Sequence, residues 1–166
     1  MYTPDNENLH ELLFAIRRSA RYHNRRRNFF DSFSKIMDII TTLAGSAAVI
    51  SILSHMHYVY PTVFAGLAAF CSCMSIALHP VEMSHIHHDL AKRYIGLEKE
   101  IISKNSYSEE DFKQFMLERL NIEADEPPVM RTLDIICHNE LMLAMGYSDN
   151  FIKIPWYKRI PCQYIR

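Results

Sequence analysis

Several common functional signatures are missing from this sequence. Only four of its 166 residues are glycine, and because they are scattered singly no glycine-rich turn can cradle a phosphate group. Basic and acidic residues nearly balance, at 18 and 19, which argues against a protein that coats nucleic acid. No Ser/His/Asp or Cys/His set has an informative spacing. We therefore expect neither an enzyme nor a bound cofactor.

Charge is absent from one long stretch of the chain. No Asp, Glu, Lys or Arg occurs between Ile39 and Val81, a length of 43 residues. A helix needs about 20 apolar residues to cross a bilayer, so this length fits two spans and a turn. The stretch predicts a transmembrane hairpin with spans at 36–54 and 62–79, joined by an external turn at 55–61.

The alternative is a pair of buried core helices in a soluble bundle. The many Ala, Ser, Thr and Cys residues of both spans favour that alternative, as do Asp38 and Glu82 close to their ends. However, most helices of a soluble domain of this size expose one polar side, so two adjacent uncharged stretches are unexpected. The membrane interpretation is therefore preferred.

Basic residues flank the uncharged stretch, and its turn carries none. According to the positive-inside rule, this pattern places both termini in the cytoplasm. The first 35 residues are too polar for a signal peptide. Anionic headgroups attract each nearby basic side chain by about 1 kcal/mol, so we expect a membrane-surface role rather than nucleic-acid binding. The basic cluster before the first span consists of Arg17, Arg18, Arg21, Arg25, Arg26 and Arg27.

Apolar residues also recur at helical spacing on both sides of the predicted hairpin. The N-terminal segment 1–35 is expected to run straight into the first span, and the second span to continue through Pro80, with or without a kink there, to 104. The apolar seam of segment 80–104 can pair with the N-terminal stripe or with another subunit. The stripe consists of Leu9, Leu12, Leu13, Ile16 and Ala20, and the seam of Met83, Ile86, Leu90, Tyr94, Leu97 and Ile101.

Two shorter helices are predicted within 108–146. Ser108 resembles a capping residue, and Gly146 suits the position just after a helix end. The tail 147–166 mixes aromatic and basic residues, and either lies against the headgroups or docks on the helices. The expected inward residues are Phe112, Phe115, Met116 and Leu120 in the first helix, and Leu133, Ile136, Cys137, Leu141 and either Leu143 or Ala144 in the second.

Cysteine and histidine offer little defined chemistry. The four cysteines show no zinc spacing, and Cys71 and Cys73 face different directions on a helix, so small buried side chains are the better interpretation. His85, His88 and Asp89 share one helix face, but no further ligand is marked by spacing, and no metal site is predicted. Polar packing at the headgroup level is preferred, with pH sensing as an alternative that includes His87.

Small and hydroxyl residues recur along the predicted spans. At intervals of four they let helices approach closely in lipid. A weakly polar stripe on the second span either packs within the hairpin or lines a pore formed by several hairpins. The candidates for packing or pore lining are Thr41, Gly45 and Ala48 in the first span and Ala65, Ala69, Ser72, Ser75 and His79 in the second.

The order of these parts resembles the bacterial SLATT family of two-transmembrane proteins. The resemblance covers roughly 10–145 and is carried by Arg21-Tyr22-His23, Arg25-Arg26-Arg27, Phe29-Phe30, Gly45-Ser46-Ala47-Ala48, His88-Asp89-Leu90, Tyr94-Ile95-Gly96-Leu97-Glu98 and Ile122-Glu123-Ala124-Asp125-Glu126-Pro127-Pro128. It implies an inner-membrane effector that forms pores and causes cell death or dormancy during phage infection. It also implies activation by a sensor or nucleotide-signalling protein encoded nearby, and offers no catalytic residues.

The sequence as a whole predicts an all-α chain forming one domain over 1–166. Its expected partners are the lipid bilayer and further copies of itself. A membrane-anchored scaffold, which recruits a cytosolic partner through the helices of 108–146 without forming a pore, is the alternative function.

Overall fold

The computed structural model describes residues 6–104, 106–147 and 151–155, and the fold of these residues is all-α, with no strand among them. Contacts divide the chain into unit 1, comprising residues up to Arg26 and from Ile86 onward, and unit 2, comprising Arg27–His85. The described helices are α1 (Asn6–Leu53), α2 (Val59–Leu78), α3 (Pro80–Ser103), α4 (Glu109–Ala124) and α5 (Arg131–Ala144).

The core of unit 1 joins the apolar stripe of α1 to the apolar seam of α3. Ile16, Tyr94 and Ile101 are fully buried within this cluster, and Phe115 and Ile122 of α4 complete it. The seam therefore packs on the N-terminal helix of the same chain, which was one of its two predicted partners. Burial of these large side chains removes apolar surface from water and provides the main driving force for folding this unit.

Helix α4 begins as its sequence predicts. The Ser108 hydroxyl accepts a hydrogen bond from the backbone N–H of Asp111, and the Asp111 carboxylate accepts one from the backbone N–H of Ser108. Lys104 and these bonds hold the pKa of the Asp111 carboxyl at about 2. After α5, Gly146 adopts a φ of +84°, a conformation that glycine reaches without steric cost. Both predicted helix ends are confirmed.

The inward faces of α4 and α5 differ in part from those predicted. Leu120 is exposed, and so are both alternatives for α5, Leu143 and Ala144, whereas Ile122, which was not predicted, is buried. Both exposed leucines fit the helical period of their own helix, but the neighbouring helices do not reach those faces. Periodicity therefore identified an apolar face without deciding how wide a strip of it would be covered.

Unit 2 contains the second half of α1 and all of α2, which run antiparallel after a five-residue connection. At the end away from the connection, the Ser84 hydroxyl donates a hydrogen bond to the Asp31 carboxylate. Small side chains are buried along the facing sides of the two helices: Ala44, Ala48, Ser51 and Cys71. Where such small residues face each other, the backbones of the two helices can approach closely.

Helix α2 begins at Val59, three residues before the predicted span, and Pro61 occupies its third position. A helix leaves its first N–H groups without intrahelical partners, so proline is tolerated there. The chain does not continue as a helix through Pro80, contrary to expectation. It is interrupted at His79, which adopts a left-handed φ of 42°, and Pro80 begins α3. Proline disfavours the right-handed helical conformation in the residue before it.

Two helical stretches, Asn8–Leu53 and Val59–Ser103, are long and apolar enough to cross a membrane. Within their most apolar windows only 17% and 6% of the residues are buried. A core helix of a soluble protein is normally buried along its apolar side, whereas these helices present their apolar side chains outward.

The conformation of His79 provides a test of the helix break. A left-handed backbone costs a residue with a Cβ atom about 1–2 kcal/mol, and glycine avoids this cost. We expect the His79→Gly variant to be more stable than His79→Ala, with a free energy of unfolding about 1 kcal/mol higher. Both variants remove the ring, which lies 3.9 Å from exposed Glu82, so the comparison isolates the backbone. Thermal unfolding in detergent, followed by circular dichroism at 222 nm, measures the difference; a more stable alanine variant contradicts a left-handed residue at this position.

Candidate functional site: a buried histidine, glutamate and tyrosine network

Unit 1 contains a polar cluster inside its otherwise apolar core. Helix α1 contributes His23, helix α3 contributes His87 and Tyr94, and the segment between α4 and α5 contributes Glu126. Both imidazoles are almost fully buried, with 0% and 2% of their surface exposed, and Tyr94 is buried completely. We call these four residues the histidine network. Buried polar groups are costly unless hydrogen-bonded, so their pairing matters for stability.

The network forms a continuous chain of hydrogen bonds. The Nδ1 atoms of His23 and His87 are 2.9 Å apart, and Nε2 of His23 lies 2.9 Å from Oε1 of Glu126. The Tyr94 hydroxyl donates to the same Glu126 oxygen over 2.6 Å. A carboxylate accepts, so His23 donates from Nε2 to Glu126, and between the two Nδ1 atoms one ring donates and the other accepts.

Aromatic contacts hold the His23 ring in place. Its ring stacks on Tyr94 with centroids 5.8 Å apart and meets Tyr22 edge-on at 5.2 Å. The Tyr22 hydroxyl in turn accepts a hydrogen bond from the backbone N–H of Met130, which precedes α5. The network therefore fastens the connection between α4 and α5 to α1 and α3 by directional bonds.

Burial sets the protonation of the network. It lowers the pKa of His87 to about 4, and the nearby charges of His23 and Arg26 lower it further, so this ring is neutral at pH 7. Burial also raises the pKa of Tyr94, so its hydroxyl stays protonated and donates a hydrogen bond to Glu126. For Glu126 burial acts to raise the pKa, but the hydrogen bonds from His23 and Tyr94 outweigh it, and the pKa is lowered.

This arrangement can bind a proton, and it ties the segment before α5 to α1 and α3. Within residues 6–104, 106–147 and 151–155, no group of three or more His, Cys, Asp or Glu side chains is placed to hold a metal ion. Burial raises the pKa of the nearby Cys137 thiol to about 11, which leaves it as an unreactive thiol at neutral pH. Acidification, in contrast, charges a group that the fold holds neutral.

The histidine-rich segment places only one of its residues in the network. His85 is exposed, and Asp89 is exposed as well, whereas His87 of the same run is the residue that enters the core. His23 and Glu126 were not identified as site residues, because 64 and 103 residues separate His23 from its two partners. One signal was available: Tyr22-His23, Tyr94 and Glu126 all occur in the motifs that carry the family resemblance.

The predicted membrane-surface arginines are mostly engaged within the protein. Arg17 pairs with Glu98, Arg18 with Asp134 and Arg25 with Glu140, at 2.6, 3.2 and 2.7 Å. Arg26 is buried, and Arg27 lies 3.7 Å from Asp31. Arg21 is exposed, and no ion pair to it is found within the described residues. Contacts with acidic side chains thus account for the arrangement of most of this cluster.

The span residues singled out by sequence divide into three groups by exposure. Ala48 is buried; Thr41, Gly45, Ser72 and Ser75 are half-buried; and Ala65, Ala69 and His79 are exposed. The Ser72 hydroxyl donates to the carbonyl of Ala68 over 2.9 Å. The tail was expected either at the headgroups or on the helices: Ile152 exchanges two backbone hydrogen bonds with the Asn139 side chain of α5, and residues 156–166 lie outside the described part.

Comparison of the chain with protein-family models, with curated proteins and with solved structures returns no match.

The histidine network predicts a definite pH dependence of stability. The pKa of His87 is about 6.5 in the unfolded chain and about 4 in the fold, so only the unfolded chain gains a proton between these values. Stability is therefore full above pH 6.5, and we expect the free energy of unfolding to fall by about 3 kcal/mol as the pH drops to 4. The lowered pKa of Glu126 adds a further loss in the same direction at lower pH.

The variant His87→Asn tests this assignment. Its amide keeps a hydrogen-bonding group near His23 but does not titrate, so the fall between pH 6.5 and 4 should largely disappear. Exposed His85→Asn is the matched control and should retain the wild-type profile. Denaturant unfolding at successive pH values, followed by circular dichroism, provides the measurement; identical slopes for wild type and His87→Asn contradict the assignment.

Proposed function

We propose that the chain is a two-span membrane protein with both termini in the cytoplasm, whose copies assemble and permeabilise the membrane. The observation that carries this proposal is the uncovered apolar surface of unit 2. Large apolar side chains on α1 and α2 are exposed along both helices, among them Ile39, Leu43, Val49, Ile50, Val63, Phe70 and Ile76. A bilayer core would cover this surface, whereas water would not.

The polar groups of these helices are compatible with lipid. Backbone groups bond within the helices, as a bilayer core requires. Hydroxyl groups bond to the carbonyl four residues earlier: Thr42 to Asp38, Ser51 to Ala47 and Ser72 to Ala68. Such side chains need no water and no second helix to satisfy their hydrogen bonds, which supports a membrane location for unit 2.

Self-association is supported by a row of small exposed residues on α2. Ala65, Ala69, Cys73 and Ala77 recur every four residues, and each is exposed. We call these four residues the α2 ridge. Since Ala44, Ala48 and Cys71 already fill the contact between α1 and α2, the ridge is available to a second copy. Helices in lipid associate where small side chains let their backbones approach.

The resemblance to SLATT proteins supplies the biological setting of the proposal. In that setting the protein is a bacterial inner-membrane effector that causes cell death or dormancy during phage infection and is activated through a sensor or nucleotide-signalling protein. If α2 lines a conducting path, we expect its half-buried Ser72 and Ser75 and its exposed His79 to provide the polar side chains of that path.

A second candidate function is a membrane-anchored scaffold. Leu117 and Leu120 are exposed three residues apart on α4, and Leu143 is exposed on α5. Helix α4 belongs to unit 1 and contributes no residue to the proposed spans, so this apolar face could recruit a cytosolic partner without permeabilising the membrane.

Membrane insertion can be tested with charges placed on the exposed apolar surface. An Asp at the centre of a span costs about 2.5–3.5 kcal/mol in insertion, so Leu43→Asp combined with Leu67→Asp should abolish stable membrane retention. Leu117→Asp with Leu120→Asp is the matched control on α4 and should leave retention unchanged. Fractionation with a carbonate wash gives the measurement. A wild-type chain recovered in the aqueous fraction as a small particle would falsify membrane insertion.

Assembly and permeabilisation can be tested on the α2 ridge. Ala65→Leu with Ala69→Leu widens the ridge and should prevent close approach, because backbones separated by leucine lose their packing contacts. We expect a shift to smaller particles in detergent and at least a tenfold loss of dye release from liposomes. Mass measurement in detergent and the release assay report the two effects separately.

The control for this experiment is Ser46→Leu, which adds a similar side chain at an exposed position of α1. It should preserve both assembly and dye release. Dye release that survives the ridge substitutions contradicts assembly through the ridge. An intact oligomer that never releases dye contradicts permeabilisation and favours the scaffold.

A further inference from the structure

Helix α5 is attached to the rest of unit 1 separately from the main core. The larger apolar cluster consists of buried side chains of α1, α3 and α4, and none of its buried members comes from α5. Helix α5 packs in a second, smaller cluster, in which Tyr22 of α1 is buried against Leu133 and Cys137. A helix that shares so little of the core can separate from it at a lower free energy than unfolding of the whole unit requires.

Polar contacts provide much of the remaining attachment of α5 to α1. Arg18 pairs with Asp134 and Arg25 with Glu140, and each of these four side chains is between 31% and 46% exposed. Ion pairs this open to water contribute little to stability. The docking of α5 therefore depends mainly on the small apolar cluster and on the segment that leads into the helix.

The connection between α4 and α5 is held by side chains. Glu126 is followed by two prolines, which have no backbone N–H to donate. Before the prolines, Glu126 is bonded to the rest of the histidine network, and Asp125 forms an exposed ion pair with Arg93. After them, the backbone N–H of Met130 donates to the Tyr22 hydroxyl. The histidine network thus lies at the base of α5, and a change in its charge acts on the attachment of this helix.

The two imidazoles of the network can share one hydrogen but not two. Their Nδ1 atoms are 2.9 Å apart, and both rings are almost fully buried. When His23 and His87 are both cationic, two N–H donors face each other out of contact with water, so their hydrogen bond is lost and the charges repel. Glu126 can balance one of these positive charges, whereas the nearby Arg26 adds another.

The surroundings of the pair oppose its double protonation. Burial first, and then the cations of α1, lower the pKa of His87 to about 4. In a released state the ring meets water and regains a pKa near 6.5, so this state binds more protons between the two values and acid favours it. The titratable and charged groups around the pair are Tyr22 and Arg26 of α1, Tyr94 of α3, Glu123 of α4, Glu126 of the connection and Asp134 of α5.

We propose that the histidine network is an acid-sensitive switch: protonation of both imidazoles frees the connection between α4 and α5, and α5 separates from α1 while the core of α1, α3 and α4 stays folded. The release uncovers the Tyr22 ring and the apolar side of α5, which carries Leu133, Cys137 and Leu141. The switch lies in unit 1 alone, so it holds or fails independently of membrane permeabilisation.

Hydrogen exchange distinguishes release of α5 from unfolding of the whole unit. The full chain is studied in an uncharged detergent at pH 7 and at pH 5, and peptides of α5 are compared with peptides of segment 90–101 of α3 by mass spectrometry. Each rate is divided by the intrinsic rate of an unstructured peptide at the same pH. This ratio, the protection, is free of the direct effect of pH on exchange.

The protection of α5 should fall about twentyfold from pH 7 to pH 5, the ratio that follows from pKa values of 6.5 and about 4 for the released and docked states. Segment 90–101 should stay at least tenfold better protected than α5 at both pH values, because its exchange requires unfolding of the main core. Equal protection of the two segments, or protection of α5 that does not change with pH, overturns the proposal.

Two substitutions separate the response to protons from the attachment itself. His87→Asn removes the titrating ring, so the protection of α5 should differ less than threefold between pH 7 and pH 5. Exposed His85→Asn is the matched control and should retain the wild-type fall. A folded His87→Asn variant with the wild-type fall overturns the proposal.

Tyr22→Phe keeps the ring that contacts His23 but removes the hydroxyl that accepts from Met130. It should lower the protection of α5 at least threefold at both pH values, because a buried N–H loses its partner, and leave the ratio between them unchanged. This variant keeps the test decisive should His87→Asn fail to fold. Protection of α5 equal to wild type in Tyr22→Phe, or a pH ratio that this substitution abolishes, also overturns the proposal.

Discussion

Unit 2 carries large apolar side chains that no other described residue covers. This uncovered surface is the constraint on which the unit depends. Leu43 and Phe70 are about two-thirds exposed, at 67% and 62%, and they belong to helices whose facing sides are already filled by small residues. Removing such surface from water is favourable by about 25 cal/mol per Å², so something other than this unit must cover it. The proposals of lipid contact and of a second copy on the α2 ridge both follow from that requirement.

Unit 1 is organised differently, around polar groups that must satisfy one another. His23 can enter the core only because His87 and Glu126 pair with its two ring nitrogens, and Glu126 can enter only with donors from His23 and Tyr94. Loss of one partner leaves a buried donor or acceptor unpaired, at a cost of about 1–3 kcal/mol. The network therefore favours one arrangement of α1, α3 and the segment before α5 over alternatives with similar apolar packing.

The arginine-rich segment shows how one pattern can serve two purposes. Its charge predicts the cytoplasmic side of a membrane protein, and this use requires only that the residues precede the span. The structure adds specific partners: Arg17 contacts Glu98 of α3, and Arg25 contacts Glu140 of α5. Pairs this open to solvent, the first half-buried and the second exposed, contribute little stability, at most about 1 kcal/mol each, but they complement the apolar packing of the same helices.

The sequence by itself determined those features that depend on neighbours along the chain. The α1 stripe, the α3 seam, the Ser108 cap and the glycine after α5 all follow from helical spacing or from the conformational preference of one residue. Only the tertiary structure decided which histidine of the His85–His88 run is buried, that Leu120 stays exposed, and that His23 meets His87 and Glu126. Those outcomes depend on which helices meet and where their surfaces end, and because the contacting residues lie 64 and 103 positions apart, no local pattern records them.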